Sequence, residues 1–233
     1  MTQSPPPNCG ILLVDKPQGV SSFRLVSAAR KMYNVRKVGH AGTLDPLATG
    51  VMVLLIGKEY TKQSHHFLHH DKEYVADIFL GVKTDSYDRE GKVLSSSSYT
   101  PSLEEIHHAL VQFQGNILQV PPMFSAKKIQ GQKLYDLARK GIHIERNPSP
   151  VCVTTSLLSY AHPIVKLHIR CSKGTYIRSI AEDLGNILGC GAHLYELIRT
   201  RSGPFHIKDC LSGSLLLSTP KSQLPFFHTK YPI

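Results

Sequence analysis

Hydrophobic and polar positions along the chain predict a succession of strands. Residues 51–56 form an apolar run rich in branched side chains, which is typical of a strand buried on both faces. Residues 74–81 alternate between apolar and polar side chains and predict a half-buried strand. Three more strands are predicted, within 10–19, where the strand ends in a Lys-Pro turn, and at 151–159 and 165–171.

Capping residues and 3.6-residue periodicity predict four helices between these strands. The first begins at Ser21 or Ser22 and runs to Met32. The second begins at Thr100-Pro101 or at the capping box of Ser102 and Glu105. Its predicted apolar face consists of Leu103, Ile106, Leu110 and Phe113. The other two span 133–139 and 176–188, each followed by a glycine, and 95–98 is predicted to be a linker. Strands interrupted by unevenly spaced helices indicate the α+β class.

Residues 37–50 show neither helical nor strand periodicity and predict a shaped loop that leads into the apolar run. Glycines at 39, 42 and 50 permit positive φ, and Pro46 fixes φ directly after the single acid of the segment, Asp45. Loops on a rigid scaffold often carry catalytic groups. The alternative is that Asp45 only initiates a turn before Pro46.

Charge changes this picture by suggesting a partner. The chain has 27 Lys plus Arg against 17 Asp plus Glu, a formal net charge of +10, which favours a polyanionic partner and attracts phosphates at long range. A merely basic soluble protein is the alternative. No apolar run reaches the roughly 18 residues of a membrane span, and residues 1–8 lack a signal peptide's apolar stretch. We therefore expect a cytoplasmic protein that does not contact membranes.

Metal and cofactor sites are weakly indicated. The five cysteines are widely spaced without a C-x-x-C pair, so we expect reduced thiols and no zinc site. Histidines at 65, 66, 69 and 70 have the i, i+4 spacing of helical metal ligands but lack the H-E-x-x-H glutamate, so a solvated or phosphate-facing surface is the favoured interpretation. Phosphate-loop and dinucleotide motifs are missing, and we expect no cofactor.

Three blocks of this sequence resemble the TruB family of RNA pseudouridine synthases. They are V-D-K-P-Q-G at 14–19, G-H-A-G-T-L-D-P-L-A-T-G at 39–50 and C-S-K-G-T-Y-I-R-S at 171–179. Five further matches lie at 72–76, 84–88, 121–126, 134–139 and 197–205. The resemblance therefore extends, in order, over about residues 10 to 206.

This resemblance implies the pseudouridine synthase fold, with a mixed, mainly antiparallel sheet, flanking helices and a central active-site cleft. It implies a disordered tail at 1–9, a catalytic domain at 10–210 and a short extension at 211–233 that is too short for the PUA-type RNA-binding domain of typical bacterial members. We expect T-arm-centred binding as a consequence. The implied reaction is isomerisation of uridine 55 in the T-arm of tRNA, by a monomer that needs no guide RNA.

Catalytic residues are carried over from the matching motifs. The family's loop aspartate, a nucleophile or a stabiliser of the reacting sugar, maps to Asp45. The family's arginine partner maps to Arg178, whose guanidinium would keep Asp45 ionised in a dry pocket. Tyr176 maps to the active-site tyrosine, and alternation along an extended segment would put Tyr176 and Arg178 on one face. The alternatives are a phosphate contact or a structural salt bridge for Arg178 and a core position for Tyr176.

Four residues are assigned by resemblance to binding the substrate or supporting the site. Tyr74 resembles the ring that stacks on the flipped base, His40 the histidine that fills space near the displaced base, and Leu197 the apolar residue that closes the pocket floor. Lys16 belongs to the turn that supports the active-site loop. The alternatives are a cross-strand aromatic residue, a turn-stabilising histidine and a core leucine, respectively.

Two functions from different classes agree with this sequence. The first is the isomerase, and the second is a non-catalytic module that binds tRNA and helps it fold. Retention of Asp45, Tyr74, Tyr176 and Arg178 together favours catalysis, because a binding module has no need of an aspartate facing RNA phosphates.

Overall fold

The longest apolar run of the sequence folds as a central strand in the computed structural model, which describes residues 9–125, 127–129, 131–142 and 144–218. Two compact units are formed by these residues. Described residues up to Glu73 and from Ile198 onward make the first unit, and Tyr74–Leu197 make the second. Residues 1–8 and 219–233 of the predicted terminal segments lie outside the described residues.

The elements follow one another in an irregular alternation of strands and helices. Those up to the middle of the chain are β1 (Gly10–Lys16), α1 (Ser22–Tyr33), β2 (Val38–His40), β3 (Thr49–Ile56), α2 (Lys58–Lys62), α3 (Ser64–Leu68), β4 (Lys72–Leu80), β5 (Val82–Thr84), β6 (Val93–Ser96), α4 (Leu103–Leu110) and β7 (Gln114–Gln119). The remainder are β8 (Lys128–Ile129), β9 (Gln132–Lys133), α5 (Leu134–Ala138), β10 (Ser149–Ala161), β11 (Ile164–Cys171), α6 (Ile177–Ile187), β12 (Ala192–Ser202), β13 (Phe205–His206), β14 (Leu211–Ser212) and α7 (Gly213–Ser218). Short 3₁₀ turns lie at Val111–Phe113 and Ile207–Asp209.

In the first unit, the strand order is β14-β1-β3-β12, and β2 also pairs with β3. Strand β3 is antiparallel to β1 and parallel to β12, so its backbone is paired on both sides. Residues 51–56 are at most 1% exposed because apolar clusters cover both faces of this strand. On one face lie Leu25, Val26 and Ala29 of α1, whose first turn is capped by the side chain of Ser21.

In the second unit, the strand order is β12-β4-β11-β10-β7. Strand β4 buries every second residue, as its alternating sequence predicts. The capping box of Ser102 and Glu105 begins α4, and Gly189 with a φ of +72° follows the end of α6. Parallel and antiparallel pairs within a sheet flanked by helices confirm the α+β prediction.

Several local predictions were wrong for non-local reasons. Val38–His40 pair with β3, and Thr49 and Gly50 begin β3, so only Lys37 and 41–48 of the predicted loop are irregular. Ser95 pairs with Lys83, so the predicted serine linker begins as a strand. Leu103 is 51% exposed because it lies on the solvent side of the first turn of α4. Cys9 was assigned to a disordered tail, but it is 4% exposed and packs in the apolar core of the first unit.

Candidate active site

Asp45 lies on an irregular loop of the first unit, residues 41–48, which we call the Asp45 loop. The loop leaves β2 and enters β3, and Asp45 is partly exposed at its middle. A backbone hydrogen bond from the Ala48 N–H to the Asp45 carbonyl, 3.1 Å long, closes a turn with Pro46 at its second position. Sequence features that predicted a shaped loop therefore correspond to one tight turn beside the acid.

Lys16 holds this loop in place through hydrogen bonds from its buried side chain. Its side chain is fully buried, and Nζ donates to the carbonyls of Pro17 (3.0 Å), Val20 (2.7 Å) and Pro46 (3.1 Å). The N–H of Gly19 donates to the Pro46 carbonyl as well, at 2.8 Å. A buried ammonium with several carbonyl partners holds the turn after β1 against the residue that follows the acid. Lys16 acts through the loop, because a fully buried side chain has no surface to offer a substrate.

The first turn of α1 is also attached to the Asp45 loop. Ser22 Oγ donates to the Leu44 carbonyl at 2.8 Å and lies 2.9 Å from the Leu44 nitrogen, whose N–H it accepts. Gln18 adds a hydrogen bond from Nε2 to the Leu47 carbonyl at 3.3 Å. Both neighbours of the Asp45-Pro46 pair are thereby held, Leu47 by the segment that joins β1 to α1 and Leu44 by the first residue of α1.

Arg199, which the sequence analysis missed, holds the other end of the loop. It is 1% exposed, and its guanidinium donates to the carbonyls of Val51 (2.7 Å), Gly42 (3.1 Å) and Thr43 (3.4 Å). The same cation lies near His40, whose pKa is lowered first by burial and then by the charge of Arg199. His40 is therefore a neutral imidazole at pH 7.

The second unit contains Tyr176 and Arg178 at the beginning of α6. Tyr176 is the N-cap residue, with φ −103° and ψ 111°, and Arg178 is the second residue of the helix itself. The expected extended segment is thus wrong, because helical geometry starts at Ile177 and ends the two-residue alternation. Tyr176 is half-buried, and Arg178 is buried.

Asp88 forms a buried ion pair with Arg178, and the sequence analysis gave it no role. Arg178 Nε lies 3.7 Å from Asp88 Oδ2, and both side chains are 7% exposed. The guanidinium also donates to the carbonyls of Ser86 (3.2 Å) and Phe124 (2.8 Å). Asp88 is itself oriented by the Ser86 hydroxyl, which donates to Oδ1 at 2.6 Å. These contacts fix the arginine in one direction within the second unit.

Gln119 forms hydrogen bonds to the backbone of Tyr176 through both the nitrogen and the oxygen of its carboxamide. Nε2 donates to the Tyr176 carbonyl at 3.0 Å, and Oε1 accepts from the Tyr176 N–H at 2.8 Å. Gln119 is 2% exposed at the end of β7. Just beyond it, the Val120 carbonyl accepts from the Ser179 hydroxyl at 2.9 Å. The end of β7 and the residue after it therefore hold the start of α6 through three hydrogen bonds.

Tyr74 and Leu197 are the remaining predicted site residues. Tyr74 is 8% exposed on the buried side of β4, and Leu197 is 7% exposed in β12. In sum, Asp45, His40 and Lys16 belong to the first unit, and Tyr74, Tyr176, Arg178 and Leu197 belong to the second. Supporting hydrogen bonds connect Lys16 with the Asp45 loop in the first unit, and they position Tyr176 and Arg178 at the start of α6 in the second.

The clustered histidines pack on one another. The rings of His65 and His69 are 3.9 Å apart between centroids, and those of His66 and His70 are 5.2 Å apart. Burial, followed by the neighbouring charge of His66, lowers the pKa of His70. In the part of the chain that the structure describes, no three His, Cys, Asp or Glu side chains are arranged to hold a metal ion, and no helix has the length and apolar character to cross a membrane.

Comparison with known protein families supplies the wider context for these residues. A family model described as "TruB family pseudouridylate synthase (N terminal domain)" matches residues 30–177, and one described as "tRNA pseudouridylate synthase B C-terminal domain" matches residues 178–218. Similar curated proteins include the "tRNA pseudouridine synthase B" of Protochlamydia amoebophila, 61% identical over 205 residues that cover 88% of this chain and 78% of that protein. The protein of the same name from Chlamydia pneumoniae is 58% identical over 207 residues, covering 89% of this chain and 88% of that protein.

A solved structure with a similar fold is the "Crystal Structure of a Cbf5-Nop10-Gar1 Complex". The similarity has a TM-score of 0.68 at 29% identity and covers 87% of this chain. This chain corresponds to 52% of that solved chain, about half of its length.

Proposed function

Because the chain belongs to the TruB family of pseudouridylate synthases, we propose that it converts uridine 55 in the T-arm of tRNA to pseudouridine, acting alone and without a guide RNA. The observation that carries this proposal is the high identity, over most of both chains, to relatives named tRNA pseudouridine synthase B. The reaction is an isomerisation, in which the bond between ribose and uracil nitrogen breaks and a bond to a uracil carbon forms. It consumes no cofactor. We further propose that the enzyme is a cytoplasmic monomer whose catalytic region spans 10–210.

Asp45 is the proposed nucleophile, or stabiliser of an oxocarbenium-like sugar. Support comes from the fixed backbone on both sides of it, where Lys16 holds the Pro46 carbonyl and Arg199 holds those of Gly42 and Thr43. A carboxylate on such a loop needs little rearrangement when the substrate arrives, and this lowers the entropic part of the barrier.

The target uridine must leave its stack before it can react. Tyr74 is proposed to stack on the flipped base, which is worth about 1–3 kcal/mol and offsets part of the unstacking cost. Because the ring is 8% exposed, this role requires its face to be uncovered when RNA binds. His40 is proposed to fill space beside the displaced base as a neutral imidazole, and Leu197 to close the pocket floor.

Arg178 and Tyr176 are the remaining proposed catalytic residues. The proposal assigns Arg178 to keep Asp45 ionised when water is excluded, and Tyr176 to pack on the base and take part in proton transfer. The ion pair with Asp88 supports this assignment, because a carboxylate beside Nε fixes the direction in which the Arg178 guanidinium points.

Incubation of the purified chain with an unmodified tRNA transcript, as the sole RNA present, tests the proposal. Pseudouridine is mapped chemically at single-nucleotide resolution beside two variants, Asp45→Asn and Asp15→Asn. Asp15 is the matched control, because its Oδ1 accepts from the Gly50 N–H at 3.1 Å and an asparagine oxygen can accept the same bond. Each variant loses one negative charge from the first unit.

We expect conversion only at uridine 55, lost at least about 10³-fold in Asp45→Asn and retained in Asp15→Asn. Binding of tRNA should stay within a small factor in both variants. Tight binding by the unaltered chain without any conversion would instead favour the tRNA-folding module. Loss of binding in Asp45→Asn would mean that Asp45 is structural.

A further inference from the structure

The exposed side of α1 carries an uncompensated positive charge. Between Asp15 and Asp45 the sequence has six Lys or Arg residues and no acidic residue. Lys16 is buried within the fold, and the other five lie on α1 or just after it. They are Arg24, Arg30, Lys31, Arg36 and Lys37, of which all but Arg30 are exposed.

None of these five cations forms an ion pair with an acidic side chain in the part of the chain that the structure describes. Among the described residues, the ion pairs of this chain all involve other side chains. Arg24 even lies in the first turn of α1, where the helix dipole favours acidic residues and where this helix has none. The preference for acidic residues at the start of a helix is thus not followed at this solvent-exposed position. Such a departure is expected where a residue is selected for function rather than for stability.

An exposed aromatic ring lies within this charged surface. Phe23 is 65% exposed, and the Arg30 guanidinium carbon lies 5.7 Å from its ring centroid. Arg30 is held there by a hydrogen bond from its terminal nitrogen to the Val38 carbonyl at 3.1 Å. Seven residues, or about 10.5 Å of helix, separate Phe23 from Arg30 and likewise Arg24 from Lys31, so each pair forms a row along α1, and the two rows are adjacent, about 100° apart around the helix. Stacking surfaces beside cations suit unpaired bases of RNA.

The charged surface is physically connected to the Asp45 loop. Ser22, adjacent to Phe23, exchanges hydrogen bonds of 2.8 and 2.9 Å with the backbone of Leu44, which directly precedes Asp45. An RNA strand bound on α1 would therefore be bound at a fixed offset from the acid.

We propose that the exposed side of α1, with Arg36 and Lys37, binds the phosphate backbone of the substrate RNA, and that Phe23 stacks on an unpaired base next to it. This inference rests on the proposed function for the identity of the RNA. The charge distribution selects RNA as the occupant, because five cations without acidic neighbours attract a polyanion and repel a basic partner.

The test compares two double variants of the full chain that change net charge equally. Arg24→Gln with Lys31→Gln alters the α1 surface. Lys58→Gln with Lys62→Gln alters two exposed lysines of α2 in the same unit and serves as the control. Dissociation constants for an unmodified tRNA transcript are measured across a range of salt concentrations, together with the single-turnover rate at saturating enzyme.

Two lost phosphate contacts should reduce the slope of log affinity against log salt by about 2 and weaken binding about 10- to 30-fold at 0.15 M salt. The control should change the slope by less than half as much. Phe23→Ala should weaken binding about 5-fold or more with no change in slope. Single-turnover rates at saturation should stay unchanged, because none of these side chains contacts the reacting atoms.

Equal slopes in the two double variants would overturn the proposal, as would unaltered binding by Phe23→Ala. Thermal melting of each variant verifies that these exposed substitutions leave the fold intact. The proposed function fails separately, if the unaltered chain binds tRNA but leaves uridine 55 unconverted. A changed slope in that case would still assign the α1 surface to RNA.

Discussion

Replacing Gln119 by alanine should slow catalysis without weakening RNA binding. The substitution removes two hydrogen bonds to the Tyr176 backbone, of 3.0 and 2.8 Å. The Tyr176 carbonyl keeps its bonds from the N–H groups of Ser179 and Ile180, whereas its own N–H loses the Oε1 acceptor. Loss of the hydrogen bond to the carbonyl costs about 1 kcal/mol, and the N–H group left without an acceptor costs about 1–3 kcal/mol. Together they lower the free energy of unfolding by roughly 2–4 kcal/mol.

The functional effect should be larger than this stability loss implies. Tyr176 is the N-cap of α6, so release of its backbone lets both its ring and the neighbouring first turn shift. A displacement near 1 Å at a catalytic group costs up to about 100-fold in rate. We expect the single-turnover rate of pseudouridine formation to fall about 10- to 100-fold, at a temperature where the variant is fully folded, with a tRNA dissociation constant changed less than about 3-fold.

Gln114 offers a matched control on the same strand. Its Nε2 donates to the carbonyl and the hydroxyl of Thr155 at 2.8 and 3.0 Å, and its Oε1 accepts from the Thr155 N–H at 3.4 Å. Gln114→Ala therefore removes the same kind of clamp away from α6 and should leave the rate unchanged. In a Tyr176→Phe background, Gln119→Ala should have a smaller effect than alone, since both act through one side chain. Equal rate losses in the two glutamine variants, or additive effects with Tyr176→Phe, would refute the argument.

Three further predictions concern stability. Arg199→Lys should lower the free energy of unfolding in urea by about 2–4 kcal/mol, because an ammonium cannot reproduce three carbonyl contacts made by a fully buried guanidinium. Gly50→Ala should abolish folding, because φ is +100° and the added Cβ would lie 2.2 Å from the Arg199 carbonyl oxygen. Gly19→Ala is the control, because Gly19 has a φ of +75° but no atom within 4 Å of an added Cβ. It should lower the free energy of unfolding by only about 1 kcal/mol, as measured by circular dichroism melts. Burial, then the charge of Glu182, raises the pKa of Asp183 to about 6, so the folded state binds this proton more tightly and its stabilising contribution is lost as the pH rises from about 4 to 6. Asp183→Asn should therefore raise the free energy of unfolding at pH 7.5 by about 1 kcal/mol after solvent screening, and the gain should vanish near pH 4.

Helices and strands that depend on residues close together in the sequence could be predicted. Ser21 and the Ser102–Glu105 capping box begin helices at the expected residues, because capping depends on side chains within one turn. The apolar run at 51–56 was recognisable since every position is buried. By contrast, Val38–His40 became a strand only through pairing with β3, which no local pattern records.

Supporting residues of the candidate site were harder to recognise than the predicted catalytic ones. Asp88 lies inside a block that matched the family, yet its role depends on Arg178, ninety positions further along the chain. Arg199 lies two residues after Leu197 and therefore on the same buried face of β12, so a charged residue at a buried strand position was the one available signal. An ion pair or a hydrogen bond between residues far apart in the chain produces no periodic pattern in the sequence. Only the tertiary structure shows which of these residues are paired.

Buried cations bonded to backbone carbonyls are the common device by which this chain shapes its loops. Lys16 and Arg199 hold carbonyls of the Asp45 loop, and Lys72 holds those of Leu68 and His70. A carbonyl needs a donor in order to be buried, and a cation satisfies two or three of them at once. Irregular backbone can thereby be fixed without secondary structure, and positive charge is kept inside a protein whose proposed substrate is a polyanion. Substitutions at these cations should therefore reduce activity through the loops that they hold.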